Sequence, residues 1–337
     1  MQRIGVIGAG AWGTALAAMA RRAGRDVVLW AREEEVVTSI NTHHENDVFL
    51  PGVALDPAIR ATSDYAETVD ADLVLLVAPA QHLRRVCTDV AKHWTSGVPV
   101  VICAKGIERG SNALMTQVIA EALPAAPGMV LSGPTFAKEV AAGLPTAVTL
   151  ACEDSHLGER AAAAIGTATF RPYLSTDLVG AAIGGAVKNV LAIACGLVEG
   201  KQLGDNARAA LITRGLVEVV RLAISMGGQS QTLMGLCGLG DLLLTATSMQ
   251  SRNYSLGVAL GQGRTLDQVL GERRAVTEGV YTAEAVVSLA ESKNVDMPIC
   301  RAMDQILNHG VAVDAAIAEL LDRPIKEELD FGWLKVI

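Results

Sequence analysis

Lys188 lies at the centre of Leu178 to Val198, a stretch that is otherwise almost wholly apolar. Its neighbours at helical spacing, Gly184, Gly185, Leu191 and Ala192, are small or apolar, so it does not sit on a polar face. A surface lysine would need a polar edge to snorkel toward, and none is nearby. Desolvation lowers the pKa of an ammonium, which suits a proton donor for reduction and an acceptor for oxidation. The stretch is long enough to cross a bilayer, at ~20 residues. Lys188 and Asn189 at its centre would be costly in lipid, and Gly180, Gly184, Gly185 and Gly196 loosen it. A core helix carrying a functional group is the expectation, not a membrane span.

A second chemical signal is Gly8-Ala9-Gly10-Ala11-Trp12-Gly13, which follows the apolar run Arg3–Ile7 and opens Thr14–Ala20. Gly8 permits the tight turn, Gly10 removes a Cβ from the path of a pyrophosphate, and Gly13 lets helix and strand approach. The helix N-terminus then offers N–H donors and a positive dipole end. The next apolar run ends at Trp30-Ala31-Arg32, followed by Glu33, Glu34 and Glu35. Arg32 could pair with a 2′-phosphate and stack on adenine, which favours NADP, whereas Glu33 is close enough to serve NAD. Lys105 follows Val100–Ala104, at the edge of a parallel sheet where ligands bind. Gly133 and Thr135, on a Gly-Pro loop, can offer N–H and hydroxyl donors. Asp241 opens Leu242–Thr245, where a helix N-cap is its ordinary use. Arg252, between Ser251 and Asn253, stands before another helical run; a guanidinium beside a helix N-terminus is a strong phosphate site.

These residues need elements to hold them. Strand candidates are Arg3–Ile7, Asp26–Trp30, Leu73–Ala78, Val98–Ala104, Met129–Leu131 and Ala147–Ala151, with Thr169–Leu174 as a possible last one. Helical patterns between them imply an α/β fold, a doubly wound, Rossmann-type parallel sheet. From about residue 180 the pattern becomes helical, at 180–198, 207–226, 256–262, 280–292 and 298–309. The expected division is a dinucleotide-binding domain over 1–179 and an all-helical substrate-binding and dimerisation domain over 180–337.

The whole-chain balance narrows the classes. With 337 residues and ~150 per domain, about two domains fit. Hydrophobic residues make up 50% and charged ones 19%, too apolar a mixture for a disordered chain. A net charge of −8 and 4% aromatics argue against nucleic acid as a partner. The six cysteines form no C-x-x-C and read as buried thiols in a reducing compartment. The histidines form no H-E-x-x-H, so no metal is expected. No signal segment precedes Arg3–Ile7, so the expected location is the cytoplasm.

Five further motifs accompany the fingerprint: Asn41…His44-Glu45-Asn46…Leu50-Pro51-Gly52; Lys105-Gly106-Ile107; Ser132-Gly133-Pro134-Thr135-Phe136-Ala137; Gly185-Ala186-Val187-Lys188-Asn189-Val190; and Gly238-Leu239-Gly240-Asp241 with Ser251-Arg252-Asn253. In this order and spacing the whole chain resembles bacterial NAD(P)-dependent glycerol-3-phosphate dehydrogenase. The resemblance implies reversible hydride transfer between dihydroxyacetone phosphate and NAD(P)H, giving sn-glycerol 3-phosphate for phospholipid synthesis, in a cytoplasmic homodimer without metal. It makes Lys188 the proton acceptor for alcohol oxidation and Lys105 a contact to both substrate and cofactor. Asp241 becomes a substrate-site residue that also positions Lys188, with Thr245 and Asn189 facing the same site. Ala11, Trp12 and Ala137 become cofactor contacts, as do Val276 and Glu278, and Arg252 touches cofactor as well as phosphate. Ala11 departs from the serine common at that place, so only a backbone contact survives there. The rival enzyme is a two-domain dehydrogenase of a 3-hydroxy acid or a ketopantoate-like substrate; Lys105 with Ser251-Arg252-Asn253 suits a phosphate better. A non-enzymatic NADP sensor is the other alternative, and it would need no buried proton donor.

Overall fold

Short runs rich in Val, Ile and Leu, buried on both faces, build the first half of the molecule. The computed structural model describes residues 1–272 and 276–325. Its strands are β1 (Arg3–Ile7), β2 (Asp26–Trp30), β3 (Glu45–Asn46), β4 (Leu50–Ala54), β5 (Arg60–Thr62), β6 (Leu73–Leu76), β7 (Val100–Ile102), β8 (Gly128–Ser132), β9 (Thr146–Ala151) and β10 (Phe170–Ser175). Eight of them form one sheet in the order β10-β9-β8-β7-β6-β1-β2-β5, while β3 and β4 pair separately. From β5 across to β8 every pairing is parallel. Parallel strands all end on one edge, so the residues after β1, β2, β7 and β8 gather there.

The expected parallel sheet is thus present, with one difference. β9 runs antiparallel to β8, and β10 runs parallel to β9. Between β8 and β9 there is only the helix Ala137–Ala141, of 5 residues, and the chain returns in the opposite sense. The segment Thr169–Leu174 becomes the edge strand β10, shifted by one residue.

The β5 strand and the β3–β4 hairpin carried no strand signal, because β3 and β5 are only two and three residues long and β4 is interrupted by Pro51 and Gly52. Side chains stabilise them instead. Asn41 donates to the Ala61 carbonyl at 2.9 Å and accepts from the Ala61 N–H at 2.8 Å, as a neighbouring strand would. Buried Asn46 donates to the Ala9 carbonyl and to Thr14 Oγ1, both at 2.8 Å. Asn41 therefore completes the edge of β5, and Asn46 braces the glycine turn.

The second half wraps around one helix, Leu178–Gly200. Asp177 starts it, accepting from the Gly180 N–H at 2.7 Å and also from the Gln229 N–H at 2.8 Å. This helix is long and apolar enough to span a membrane, but here it is enclosed by Asp205–Ser225, Asp241–Ala246, Arg252–Gly261, Glu278–Ser292 and Pro298–Asn308. Its glycines are contact points. A Cβ on Gly196 would lie 2.1 Å from the Tyr254 carbonyl oxygen, and one on Gly257 2.0 Å from the Ile193 oxygen. Backbone meets backbone there, which draws the Arg252–Gly261 helix tight against the helix of Lys188.

All six cysteines are free and buried. Burial pushes the Cys87, Cys103 and Cys195 thiols up to about 12, so they are inert hydrophobes.

Candidate active site

The glycine turn after β1 is shaped for a dinucleotide. Gly8 has φ +112°, a conformation that L side chains avoid. A Cβ on Gly13 would lie 1.7 Å from the Gly8 carbonyl oxygen, so only glycine closes the turn onto the helix Ala11–Arg22. At Gly10 there is nothing within 4 Å of where a Cβ would stand, which leaves open space beside the helix start. No side chain caps that helix, and its first-turn N–H groups lack partners within the helix. The buried Trp12 Nε1 is also unpartnered. These features fit a pyrophosphate lying across the turn. Ala11, Trp12 and Ala137 pack against one core, which brings the start of the Ala137 helix beside the fingerprint.

Arg32 lies past the end of β2, with its side chain 78% exposed. Its fork is turned onto Glu33, with Nε at 3.0 Å and Nη2 at 2.7 Å from Oε1. Trp30, just before it, stacks on Tyr65 with ring centroids 4.4 Å apart. Tyr65 carried no motif, and only the fold places it there.

At the same sheet edge, three elements converge on one buried charge cluster. Lys188 Nζ donates to Asp241 Oδ1 at 2.5 Å and to Thr245 Oγ1 at 2.8 Å. Lys105 Nζ donates to the other Asp241 oxygen at 2.7 Å and to the Gly133 carbonyl at 3.2 Å. Thr135 Oγ1 donates to that same carbonyl at 3.2 Å. Asp241 is fully buried and Lys188 is 7% exposed. Desolvation, opposed by Asp241 and aided by Lys105, brings the Lys188 ammonium down from 10.5 to about 8.

The N-cap expectation for Asp241 is corrected here. Gly240 holds the cap position without a side-chain bond, and Asp241 is the first residue of the helix Asp241–Ala246. A widened π-helical turn, Leu236–Gly240, leads into it. The carboxylate is spent on two ammonium groups, each a stronger partner than a backbone N–H.

Gly133 has φ +156°, and a Cβ on it would lie 2.9 Å from Val148 Cα, so the loop needs glycine to bring its carbonyl to Lys105. Ser132, just before it, is a site residue that no sequence signal singles out. Its hydroxyl is buried and unpartnered, and a Cβ on Gly185 would lie 2.7 Å from it. Lys105, Ser132 and Gly185 line one small cavity there.

Asn189 and Asn253 are both buried and hydrogen-bonded to one another at 3.0 Å. Ser251 caps the helix Arg252–Gly261 by accepting from the Tyr254 N–H at 3.2 Å. Both Ser251 and Asn253 therefore turn their side chains inward, while Arg252 stands on the exposed side. Although Arg252 is exposed at the surface, the protein atoms around its guanidinium desolvate it and lower its pKa, and the charge of Glu278 opposes that. Glu278 accepts from the Ala80 N–H at 3.2 Å through Oε1, while Oε2 is buried and unpartnered. Desolvation holds its carboxyl above the usual range. Val276 is half-buried two residues before it.

The cluster thus joins Lys105, Gly133, Thr135, Lys188, Asn189, Asp241, Thr245 and Asn253. Gly8–Gly13, Arg32 and Ala137 lie along the dinucleotide edge, and Arg252 with Glu278 lies on the helical side.

NAD-dependent glycerol-3-phosphate dehydrogenase N-terminus matches residues 3–158, and NAD-dependent glycerol-3-phosphate dehydrogenase C-terminus matches residues 177–318. A glycerol-3-phosphate dehydrogenase (NAD(P)+) of Rhodospirillum rubrum is 63% identical, over 97% of this chain and 94% of its own length. That of Caulobacter vibrioides is 61% identical, over 97% of this chain and 99% of its own. The crystal structure of glycerol-3-phosphate dehydrogenase from Coxiella burnetii superposes with a TM-score of 0.92 at 37% identity, covering 96% of this chain and 99% of that one. The hydroxy-acid and ketopantoate alternative is not favoured by these matches. The chain, with its glycine turn, its buried lysine and its two matched halves, belongs to the NAD(P)-dependent glycerol-3-phosphate dehydrogenase family.

Proposed function

We propose that the protein catalyses the reversible reduction of dihydroxyacetone phosphate to sn-glycerol 3-phosphate, with NADPH preferred over NADH. The observation that carries this reading is the buried Lys188–Asp241–Lys105 cluster at the sheet edge beside a dinucleotide turn. The nicotinamide, when bound, supplies the hydride for reduction and takes it for oxidation. The chain's own residues manage the proton and the charges. An ammonium has three donors, and Asp241 and Thr245 take two of those on Lys188, leaving one for a substrate oxygen. Lys188 gives its proton to the alkoxide during reduction and accepts it during oxidation. Burial opposes the charged form of Lys188 while Asp241 favours it, which leaves the group at about 8. Lys105 adds a second positive charge toward the developing alkoxide.

Asn189, Gly133 and Thr135 line the substrate, and Arg252 with the helix start at Ser251 and Asn253 holds its phosphate. Gly8, Gly10, Ala11, Trp12 and Gly13 would hold the dinucleotide, with Lys105, Arg252, Val276 and Glu278 as further contacts, Ala137 toward its nicotinamide and Arg32 toward a 2′-phosphate. In this reading residues 1–179 bind the dinucleotide, and 180–337 bind substrate and pair two copies into a cytoplasmic homodimer that feeds glycerophospholipid synthesis.

The test is NADPH oxidation with dihydroxyacetone phosphate against unphosphorylated dihydroxyacetone. The phosphorylated ketone is expected to be far the better substrate, because only it carries the group that Arg252 binds. Equal rates would sink the phosphate-anchor reading.

A further inference from the structure

One buried amide fixes the direction of a peptide in the glycine turn. Asn46, on β3, is 0% exposed and stands 37 residues along the chain from Ala9. Its Nδ2 donates to the Ala9 carbonyl and to Thr14 Oγ1, both at 2.8 Å, and its Oδ1 accepts from the Phe49 N–H at 3.0 Å. A carbonyl can only accept and an N–H can only donate, so turning this amide over would set like against like at both ends. Water has no access to repair that mismatch. Thr14 Oγ1 donates to the same Ala9 oxygen at 3.4 Å, so the carbonyl is held from two sides. The peptide between Ala9 and Gly10 is trans, which sets its N–H opposite its C=O. With the carbonyl drawn into the core, the Gly10 N–H points outward. Gly10 is exposed, a Cβ there would meet nothing within 4 Å, and among the described residues no protein group accepts from its N–H. Backbone sterics do not enforce this direction. Gly10 has φ −65°, and a glycine adopts the positive φ of a turned-over peptide about as readily.

We infer that Asn46 is a positioning residue for the dinucleotide: it locks the Ala9–Gly10 peptide with its N–H outward, so that a pyrophosphate meets a donor there and not a carbonyl oxygen. Asn46 acts through that peptide and touches no ligand itself. A turned-over peptide would place a partial negative charge against an anion, which is why a permissive glycine at this place needs a lock from outside the turn. The pyrophosphate is common to NADPH and NADH, so Asn46 bears on both alike, the opposite of what is expected of Arg32. The inference rests on the proposed dinucleotide site, but the direction of the peptide can be read without any ligand.

The test is equilibrium titration of the full chain with three probes: NADPH, NADH and adenosine 2′-phosphate, a fragment without the pyrophosphate. Asn46→Leu keeps the size of the side chain and removes its donors. Kd is expected to rise about tenfold for NADPH and for NADH, the scale of one misplaced hydrogen bond, and to stay within about twofold for adenosine 2′-phosphate. At saturating NADPH, kcat should also stay within about twofold. Equal weakening of all three probes would overturn the inference, because the turn would then be distorted as a whole. An unchanged Kd for both dinucleotides in the folded variant would overturn it as well. Where Asn46→Leu does not fold, Asn46→Asp keeps the acceptor for the Phe49 N–H, removes the amide donors and is read with the same probes. Hydrogen exchange of the Gly10 backbone amide, followed by NMR on the wild-type chain, reads the peptide without ligand. Fast exchange in the free chain that slows on adding NADPH is the expected result; slow exchange in the free chain would overturn the inference, because the N–H would then point inward. Failure of the wild-type chain to bind either dinucleotide would count against the proposed cofactor site, and the exchange rate of the free chain would then decide the direction of the peptide alone.

Discussion

At the scale of single residues, the proposed proton transfer rests on Lys188. Lys188→Met keeps an unbranched chain and removes the charge, so it is expected to fold while kcat falls by roughly 10²–10⁴, the usual scale for general acid–base catalysis. Single-turnover reduction measured beside thermal melting checks this; near-wild-type turnover in a folded variant would pass the role to Lys105. The pH dependence has a definite sign. Reduction needs the ammonium, so its kcat should fall as pH rises through about 8, whereas oxidation needs the free amine and should rise there. Arg32 supports a separate expectation. Arg32→Ala should weaken NADPH binding more than NADH binding, since only NADPH carries the 2′-phosphate. Equal losses in a binding titration would make Arg32 an adenine platform or a structural residue.

At the scale of elements, close helix packing places the helix start at Arg252, where the substrate phosphate is proposed to sit. Gly257→Ala would press a methyl group onto the Ile193 carbonyl and the Gly196 Cα, only 2.0 and 2.9 Å away. Overpacking of this kind costs about 1–3 kcal/mol, and the Arg252–Gly261 helix must move outward to relieve it. Denaturant melts and the KM for dihydroxyacetone phosphate should both register the change. Glu218 plays the opposite part, closing an element end. Its carboxylate accepts from the Ile299 and Cys300 N–H groups at 2.8 and 3.2 Å, at the start of the Pro298–Asn308 helix. Burial raises its carboxyl from 4.5 to about 7. The folded pKa lies above the unfolded one, so this group's contribution is intact below 4.5 and is lost as pH rises toward 7. Glu218→Gln should flatten that part of the curve of Tm against pH, and an unchanged slope would show that the burial does not matter.

At the scale of the whole molecule, Asp241, already paired with Lys188 in the helical half, joins that half to the sheet half through Lys105. Asp241→Asn leaves two buried ammonium groups facing a neutral amide. A loss of roughly 3–5 kcal/mol is expected, because a buried charge left without its partner is strongly destabilising. The apparent pKa for turnover should also shift below about 8, since Asp241 is what holds Lys188 up against desolvation. A variant with wild-type stability and an unmoved pH profile would show that the halves are joined elsewhere.

The sequence by itself determined the class of fold and the dinucleotide turn, because those depend on local pattern. Glycine spacing after an apolar strand, the 2-fold and 3.6-fold periods, and a lysine inside an apolar helix are all visible one segment at a time. Lys188 was legible for that reason, and its unsuitability for lipid followed from the same residues. Contacts across large sequence separations decided the rest. Asp241 looked like a helix cap from its neighbours; the family resemblance set it beside Lys188, and only the fold made it the partner of Lys105 as well. The antiparallel turn of β9, the β5 edge strand completed by Asn41, and Glu218 closing a distant helix left no periodic signal. The direction of the Asn46 amide was likewise hidden, because it is fixed by the Ala9 carbonyl on one side and the Phe49 N–H on the other. Backbone groups carry no side-chain identity in a sequence, so only the tertiary structure could orient that amide.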